Sequence, residues 1–444
     1  MQLPPWVLAA GGRLSQFLKY GCEVYGLPGL LGQLTDGRRD PDIPTLDVVT
    51  SLVSAALLRL PSINALEGNL QEPDFQQLIG RPPRPNVKAF SAEVIDNVLD
   101  KLHHDGLRAN LEDLVGLAER NKAFREGYGT LRTVALDGWE PYASYDRHCA
   151  GCLTRQVKVK NPTTGELETR VQYHHKYVVA MLIGPVLDVI LDLEPVRSHE
   201  ARRDAGEDAH HEGELTAALR LLERLHATYG RFIDAVVCDA LYANGPVLTK
   251  LAAYDYGGFI VLQKEDNEPL KEALTLFDGQ APCDQYVDPD TKEHIAFWDV
   301  DEVETLSTFK GKVRVIKAVI SDDAGPRSSW CFAIVGERAR KVGRRVAFKI
   351  VRARWHIENT AFNQWVQYWH LSHVYHHTPA ALMAVLFLWA FVFNLVQLFV
   401  YRRLHRPRDP ADPTNTIRHI IEMMHRELGI IPSPLLWVEL ADSS

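Results

Sequence analysis

The first 130 residues place their apolar side chains at helical spacing. Leu46, Val49, Leu52, Ala55 and Leu58 follow Thr45, which can cap the helix they predict. Val94, Ile95, Val98, Leu99 and Leu102 repeat the pattern after Ser91. Arg81-Pro-Pro-Arg-Pro85 lies between them, cannot be helix interior and reads as a linker. At Leu131 the period changes. Thr133-Val-Ala-Leu136 is a short β-prone run ending in the turn signal Asp137-Gly138. A loop follows, and then Lys176–Ile183 and Val186–Leu191 form a hairpin about Gly184-Pro185. A helix over Glu212–Tyr229, a strand over Phe232–Cys238, a helix over Pro246–Ala253 and a strand over Gly258–Leu262 complete the series. Strand, hairpin, helix, strand, helix, strand predicts an α/β fold whose mixed sheet is covered by helices. Its two strand-end aspartates, Asp137 and Asp239, fall where open α/β sheets bind ligands.

Residues 265–336 interrupt the alternation with β-prone runs at His294–Val300, Val313–Ile320 and Trp330–Val335, read as a β-rich insertion. Helix resumes near Arg344. The expected organisation is a helical region over 1–130, a sheet domain over 131–264, the insertion, a helix over 337–378 and a helical end over 379–444.

Ala380–Tyr401 is apolar apart from Asn394 and Gln397 and is long enough to span a bilayer, with Arg402, Arg403, His405 and Arg406 behind it. The preferred reading is a helix buried in a large core, started by Thr378-Pro379, with no membrane involved. The 444 residues suffice for several domains. Six scattered cysteines are not a disulfide framework. The Met-Gln-Leu-Pro-Pro-Trp start lacks a secretory pattern, so a reducing cytoplasm, in association with the nucleoid, is the expected location. A net charge of −8 is unusual for a protein that holds DNA, but a local basic patch is enough for phosphate contacts.

Phosphoryl transfer on DNA needs an activated attacking oxygen and a neutralised leaving oxygen. Two Mg²⁺ or Mn²⁺ ions about 3.5–4 Å apart supply both, and such hard cations take carboxylate ligands. Asp137 and Asp239 fit as ligands by position. From periodicity alone, Glu140, Asp188, Asp192 and Asp234 stay in competition, because an Asp at a strand end is more often a turn or cap residue.

Several blocks narrow the choice: Val134-Ala-Leu-Asp-Gly138, Cys149-x-x-Cys-Leu-x-Arg155, Glu214-Leu-Thr-Ala-Ala-Leu-Arg-Leu-Leu222, Val237-Cys-Asp-Ala-Leu-Tyr-Ala243 and Arg354-Trp-His-Ile-Glu-Asn359. In this order, over roughly residues 90–400, the chain resembles the DDE transposases of bacterial insertion sequences, in the group whose β-rich insertion precedes the catalytic glutamate. The resemblance implies an RNase H-like catalytic domain with Asp137, Asp239 and Glu358 as catalytic metal ligands. It also implies duplex DNA partners, at the transposon ends and at the target, and a homodimer in a synaptic complex. The family's signature of Tyr, Arg, Glu and Lys is matched at Arg354 and Glu358, while Val351 and Trp365 stand at the Tyr and Lys positions.

Arg338, Arg340, Lys341, Arg344, Arg345, Lys349, Arg352 and Arg354 lead into the glutamate with no acid among them, and read as a phosphate track. Trp298 could stack on an unpaired base, though a structural use is commoner. Cys149 and Cys152 resemble half a zinc site that His148, His174 or His175 could complete; a packed turn is the competing reading. His373 and His377, one helical turn apart, could face a metal or phosphate together, with structural hydrogen bonds as the alternative. Residues 46–60 and 91–117 are the natural candidates for holding DNA ends. The leading expectation is an active transposase; the alternative is an inactive or domesticated derivative that binds DNA without cutting it.

Overall fold

The computed structural model describes residues 12–161, 165–208, 210–262, 268–289, 291–303, 308–322, 325–406 and 415–428. The N-terminal run read for a secretory signal, the joint at 263–267 and the tail beyond 428 lie outside the described residues.

The fold is mixed α/β. One nine-stranded sheet has the order β6-β5-β1-β7-β8-β12-β11-β10-β9. The strands are β1 (Thr133–Trp139), β5 (Tyr177–Ile183), β6 (Val189–Pro195), β7 (Ala235–Cys238), β8 (Gly257–Leu262), β9 (Asp284–Val287), β10 (His294–Val303), β11 (Val313–Asp322) and β12 (Gly325–Val335). β5 and β6 are the expected hairpin, and β5 runs antiparallel to β1. β7 and β8 follow parallel to β1, each reached through helical crossovers. This is the mixed sheet covered by helices that the order of elements predicts.

Two expectations change. The segment read as a separate β-rich insertion extends the same sheet, because β12 pairs antiparallel with β8 from Cys331↔Leu262 to Val335↔Gly258. Apolar residues on both faces of β11 and β12, such as Val315, Ile316, Phe332 and Ile334, bury this extension with the main core. The loop read after Asp137 contains a second sheet of β2 (Ala143–Ser144), β3 (Leu153–Lys160) and β4 (Leu167–His174). Its strands alternate, but their side chains are largely exposed and mostly polar, so they lack a continuous apolar face.

The apolar segment forms the helix α4 (Pro379–Leu398), started by the Thr378 hydroxyl accepting from Ala381 N at 3.2 Å. Pro379–Arg403 is long and apolar enough to cross a membrane, but here its stretch Ala381–Tyr401 is buried throughout by protein. α1 (Thr45–Leu57), α2 (Ala92–Lys101), α3 (His104–Arg120) and strand β6 pack around it. Asn394 pairs both its amide ends with the Ile190 backbone, at 2.7 Å each, and so closes the outer edge of β6. The N- and C-terminal helical regions thus form one layer. The Glu427 carboxylate accepts from Arg13 N and Leu14 N at 2.7 Å, capping the first described helix.

The cap expected of Thr45 is not made. Its hydroxyl donates to Asp36 at 2.7 Å and Pro44 holds the cap position. Residues Val48–Leu57 are all buried, so α1 has no open face, which corrects the reading of 46–60 as a DNA-holding helix.

Candidate active site

β1 and β7 are neighbours in parallel register, with Ala135 opposite Val237. Two residues on, Asp137 and Asp239 therefore lie side by side: Asp239 stands just past the end of β7, while β1 runs on through Asp137 to Trp139 against β5, so the turn expected at Asp137-Gly138 is not formed. Neither is fully buried. Asp239 caps a short turn, accepting from Leu241 N at 2.9 Å. Asp137 accepts from Gly138 N at 2.8 Å.

The third acid arrives from the far side. α5 (Arg344–Ala353) ends at Arg354, and Ile357–Phe362 winds as a π-helical turn that carries Glu358. Wide turns of this kind displace side chains from ordinary helical spacing and occur often at functional sites. Arg354 is 4% exposed. Its Nη1 donates to Asp137 Oδ2 at 3.0 Å and to Glu358 Oε1 at 2.8 Å. Asp137 and Glu358 are thereby joined through one guanidinium, with Asp239 beside Asp137 on the neighbouring strand.

Charge at this edge is not balanced. Burial pushes the Asp137 carboxyl up to about 7; Arg354 opposes the shift, and Glu358 and Asp239 add to it. Burial also raises Asp239, against the Leu241 N–H and Arg354, with Glu214 and Glu358 raising it further. Glu214 is a fourth carboxylate at this edge. Lys176 Nζ sits 2.6 Å from its Oε2 and Tyr242 donates to its Oε1 at 2.7 Å. Gly138 makes room for it, since a Cβ there would lie 2.4 Å from Glu214 Oε2. Four acids face two cations, and every carboxylate oxygen is a hard donor. The donor set fits divalent cations such as Mg²⁺ or Mn²⁺.

The competing acids are used elsewhere. Asp192 pairs with Arg108 at 3.1 Å and Arg224 at 2.6 Å, and Asp234 with Arg338 at 3.3 Å. Glu140 pairs with Arg155 at 2.6 Å, and the buried Asp188 accepts from Gly184 N at 3.1 Å and faces His356.

The basic run is only partly open. Arg340 binds Asp301 at 2.8 Å, Arg344 binds Asp299 at 3.1 Å, Arg345 binds Asp284 at 2.9 Å and Arg352 binds Glu293 at 2.6 Å. Lys349 is exposed on the same helix. Four of its arginines thus stitch α5 and the turn before it to β9, β10 and the loop between them, while Arg338, Lys341, Arg345 and Lys349 keep their side chains largely exposed. Trp298 Nε1 donates to Gln280 O at 2.8 Å and Lys317 Nζ lies 5.2 Å from its ring, so it serves the local packing. Trp355 was not singled out, yet it is 40% exposed three residues before Glu358, with its ring 5.3 Å from Arg354. Val351 and Trp365 are fully buried; Trp365 packs against Trp139, Phe362 and Phe393.

Among the cysteine and histidine candidates, Cys149, Cys152, His175 and His377 converge. His148 instead stacks on Tyr173 at 4.7 Å and His174 lies 3.9 Å from Glu140. His373 contacts Tyr375, in a stretch from 370 to 378 that is not helical, so the expected one-turn spacing with His377 does not arise.

No protein-family model and no curated protein matches the chain. Among solved structures, the NurA nuclease from Sulfolobus solfataricus aligns with 73% of this chain and 97% of its own, at 9% identity and a TM-score of 0.24. At that score the likeness does not reach a shared fold.

Proposed function

We propose that the chain is a metal-dependent nucleic-acid phosphoryl transferase of the DDE transposase kind, cutting DNA at the ends of an insertion sequence and joining them to a target. The observation that carries this reading is that Arg354 joins Asp137 to Glu358 while Asp239 lies beside Asp137 on the neighbouring strand, close enough for the acids to raise one another's carboxyls. These three acids would hold two Mg²⁺ or Mn²⁺ ions. Bound there, the metals would supply a nucleophilic oxygen and neutralise the leaving one.

The chain's own groups do the rest. Arg354 holds Asp137 and Glu358 in place and offsets part of their charge. Lys176 and Tyr242 fix Glu214 beneath Gly138, where it adds negative potential. The exposed Trp355 ring offers a surface on which a base could stack.

The test is Mg²⁺- or Mn²⁺-dependent cleavage of duplex DNA carrying the sequences that flank the coding region. Asp137→Ala, Asp239→Ala and Glu358→Ala should each reduce cleavage by about 10²-fold or more, as expected when a transition-state charge loses its support. Undiminished cleavage in any of the three refutes that residue's role.

A second reading, a DNA-binding derivative without catalysis, is favoured by the buried Val351 and Trp365, which stand at the Tyr and Lys positions of the signature. Duplex binding without cleavage under any divalent metal would select it.

A further inference from the structure

A second cluster of metal-ligating side chains lies apart from the acids, and it stands whether or not they are catalytic. Cys149 and Cys152 flank a tight turn closed by Cys152 N donating to Cys149 O at 3.0 Å. His175 sits between β4 and β5, and His377 lies two residues before α4. Three separate stretches of the chain thus bring two thiols and two imidazoles together, all ligand atoms within 4.8 Å of one another.

The spacing is that of a tetrahedron. With Zn–S about 2.3 Å and Zn–N about 2.0–2.1 Å, tetrahedral angles put two sulfurs about 3.8 Å apart and a sulfur and nitrogen about 3.6 Å apart. The two sulfurs here are 3.8 Å apart. His175 Nε2 is 3.3 Å from Cys149 Sγ and 3.2 Å from Cys152 Sγ, and His377 Nε2 is 3.6 Å from Cys152 Sγ. A disulfide would need the sulfurs about 2.05 Å apart and gives no reason for two ring nitrogens to point at them. Soft thiolates with imidazoles in tetrahedral array select zinc over the hard cations suited to carboxylates.

The surroundings fit a closed structural site. Cys152 and His175 are buried, and Cys149 and His377 are partly so. Gly151 lets the turn seat against the helix start, for a Cβ there would lie 2.9 Å from Pro379 Cγ and 3.2 Å from His175 Cε1. Beyond His377, His376 pairs with Asp96 and Asp100 of α2, and the Thr378 hydroxyl donates to Asp100.

We propose that Cys149, Cys152, His175 and His377 bind one structural Zn²⁺, which pins the start of α4 to the small sheet that follows Asp137. Binding displaces the two thiol protons to solvent, and the two thiolates balance the ion's charge.

The full-length chain, purified without a metal-affinity tag, should carry a single equivalent of zinc by elemental analysis. Cys152→Ser and His377→Ala should reduce this to below about one tenth, as expected when a four-ligand site loses a member. His148→Ala, His373→Ala and Asp137→Ala should retain it, separating this site from its histidine neighbours and from the acids. If the ligand variants do not fold, wild type decides. After exchange into Co²⁺ it should show the strong visible bands of tetrahedral cobalt and thiolate-to-cobalt charge transfer. Folded wild type with no zinc and no such bands overturns the proposal.

Discussion

Arg354 lies buried against Asp137, its Nη1 donating to Oδ2 at 3.0 Å while the same nitrogen holds Glu358 at 2.8 Å. Removing the guanidinium leaves facing carboxylates with no cation between them. Arg354→Met should cost the metal-free chain about 3 kcal/mol, in the range found when one partner of a buried pair is deleted. Saturating Mn²⁺ should recover most of that loss, because the metal takes over the neutralising role. Chemical denaturation with and without Mn²⁺ measures both; a loss that Mn²⁺ leaves unchanged contradicts the shared-charge reading.

Asp137 gives a pH dependence with a definite sign. Its carboxyl, ordinarily at 3.8, is pushed up to about 7 in the folded chain, chiefly by burial. The folded state therefore holds this proton more tightly than the unfolded one. The resulting stability is complete below pH about 4 and is lost as pH rises through about 7. Without metal, Asp137→Asn should match wild type near pH 4 and exceed it above pH 7 by on the order of 2–4 kcal/mol. Mg²⁺ should raise the melting temperature of wild type more than that of the variant. Melting curves across this range check it, and a gap that does not change with pH contradicts it.

Trp365 occupies the Lys position of the family signature but is wholly buried among Trp139, Phe362 and Phe393. Installing the signature residue should harm the protein. Trp365→Lys should destabilise it by at least the about 3–5 kcal/mol of a Trp→Ala core truncation, since it also buries a charge. A folded Trp365→Lys protein of wild-type stability, measured by urea unfolding, would show that this position faces solvent.

Asn394 seals the edge of β6 through both bonds to Ile190. Asn394→Leu keeps the apolar character of α4 but strands one donor and one acceptor, at a cost of about 2–3 kcal/mol. Amide exchange at Ile190 should accelerate in this variant; unchanged protection would contradict the pairing.

How much of this was legible in the sequence differs from part to part. Runs such as Val134-Ala-Leu136 and Ala235–Cys238 are apolar on both faces, so the central strands and Asp239 just past β7 could be read directly, whereas Asp137-Gly138, read as a turn, lies inside β1, which runs on to Trp139. Periodicity could not choose Asp137 over Asp188 or Asp192; the family blocks did. Glu358 was legible as a residue but not as part of a π-helical turn, because side-chain spacing does not record that backbone change. β3 and β4 escaped notice because their strands carry few buried residues. The pairing of the basic run was not legible because its partners, Asp284, Glu293, Asp299 and Asp301, lie 39 to 61 residues away in sequence. His377 was legible only as one of several histidines, since its approach to Cys152 spans 225 residues.

Anomalous diffraction from crystals soaked in Mn²⁺, recorded at the manganese edge, tests the centre most directly. The account predicts manganese peaks coordinated by Asp137, Asp239 and Glu358, absent from Asp137→Ala crystals. Well-ordered soaked crystals with no manganese between these three carboxylates would contradict it.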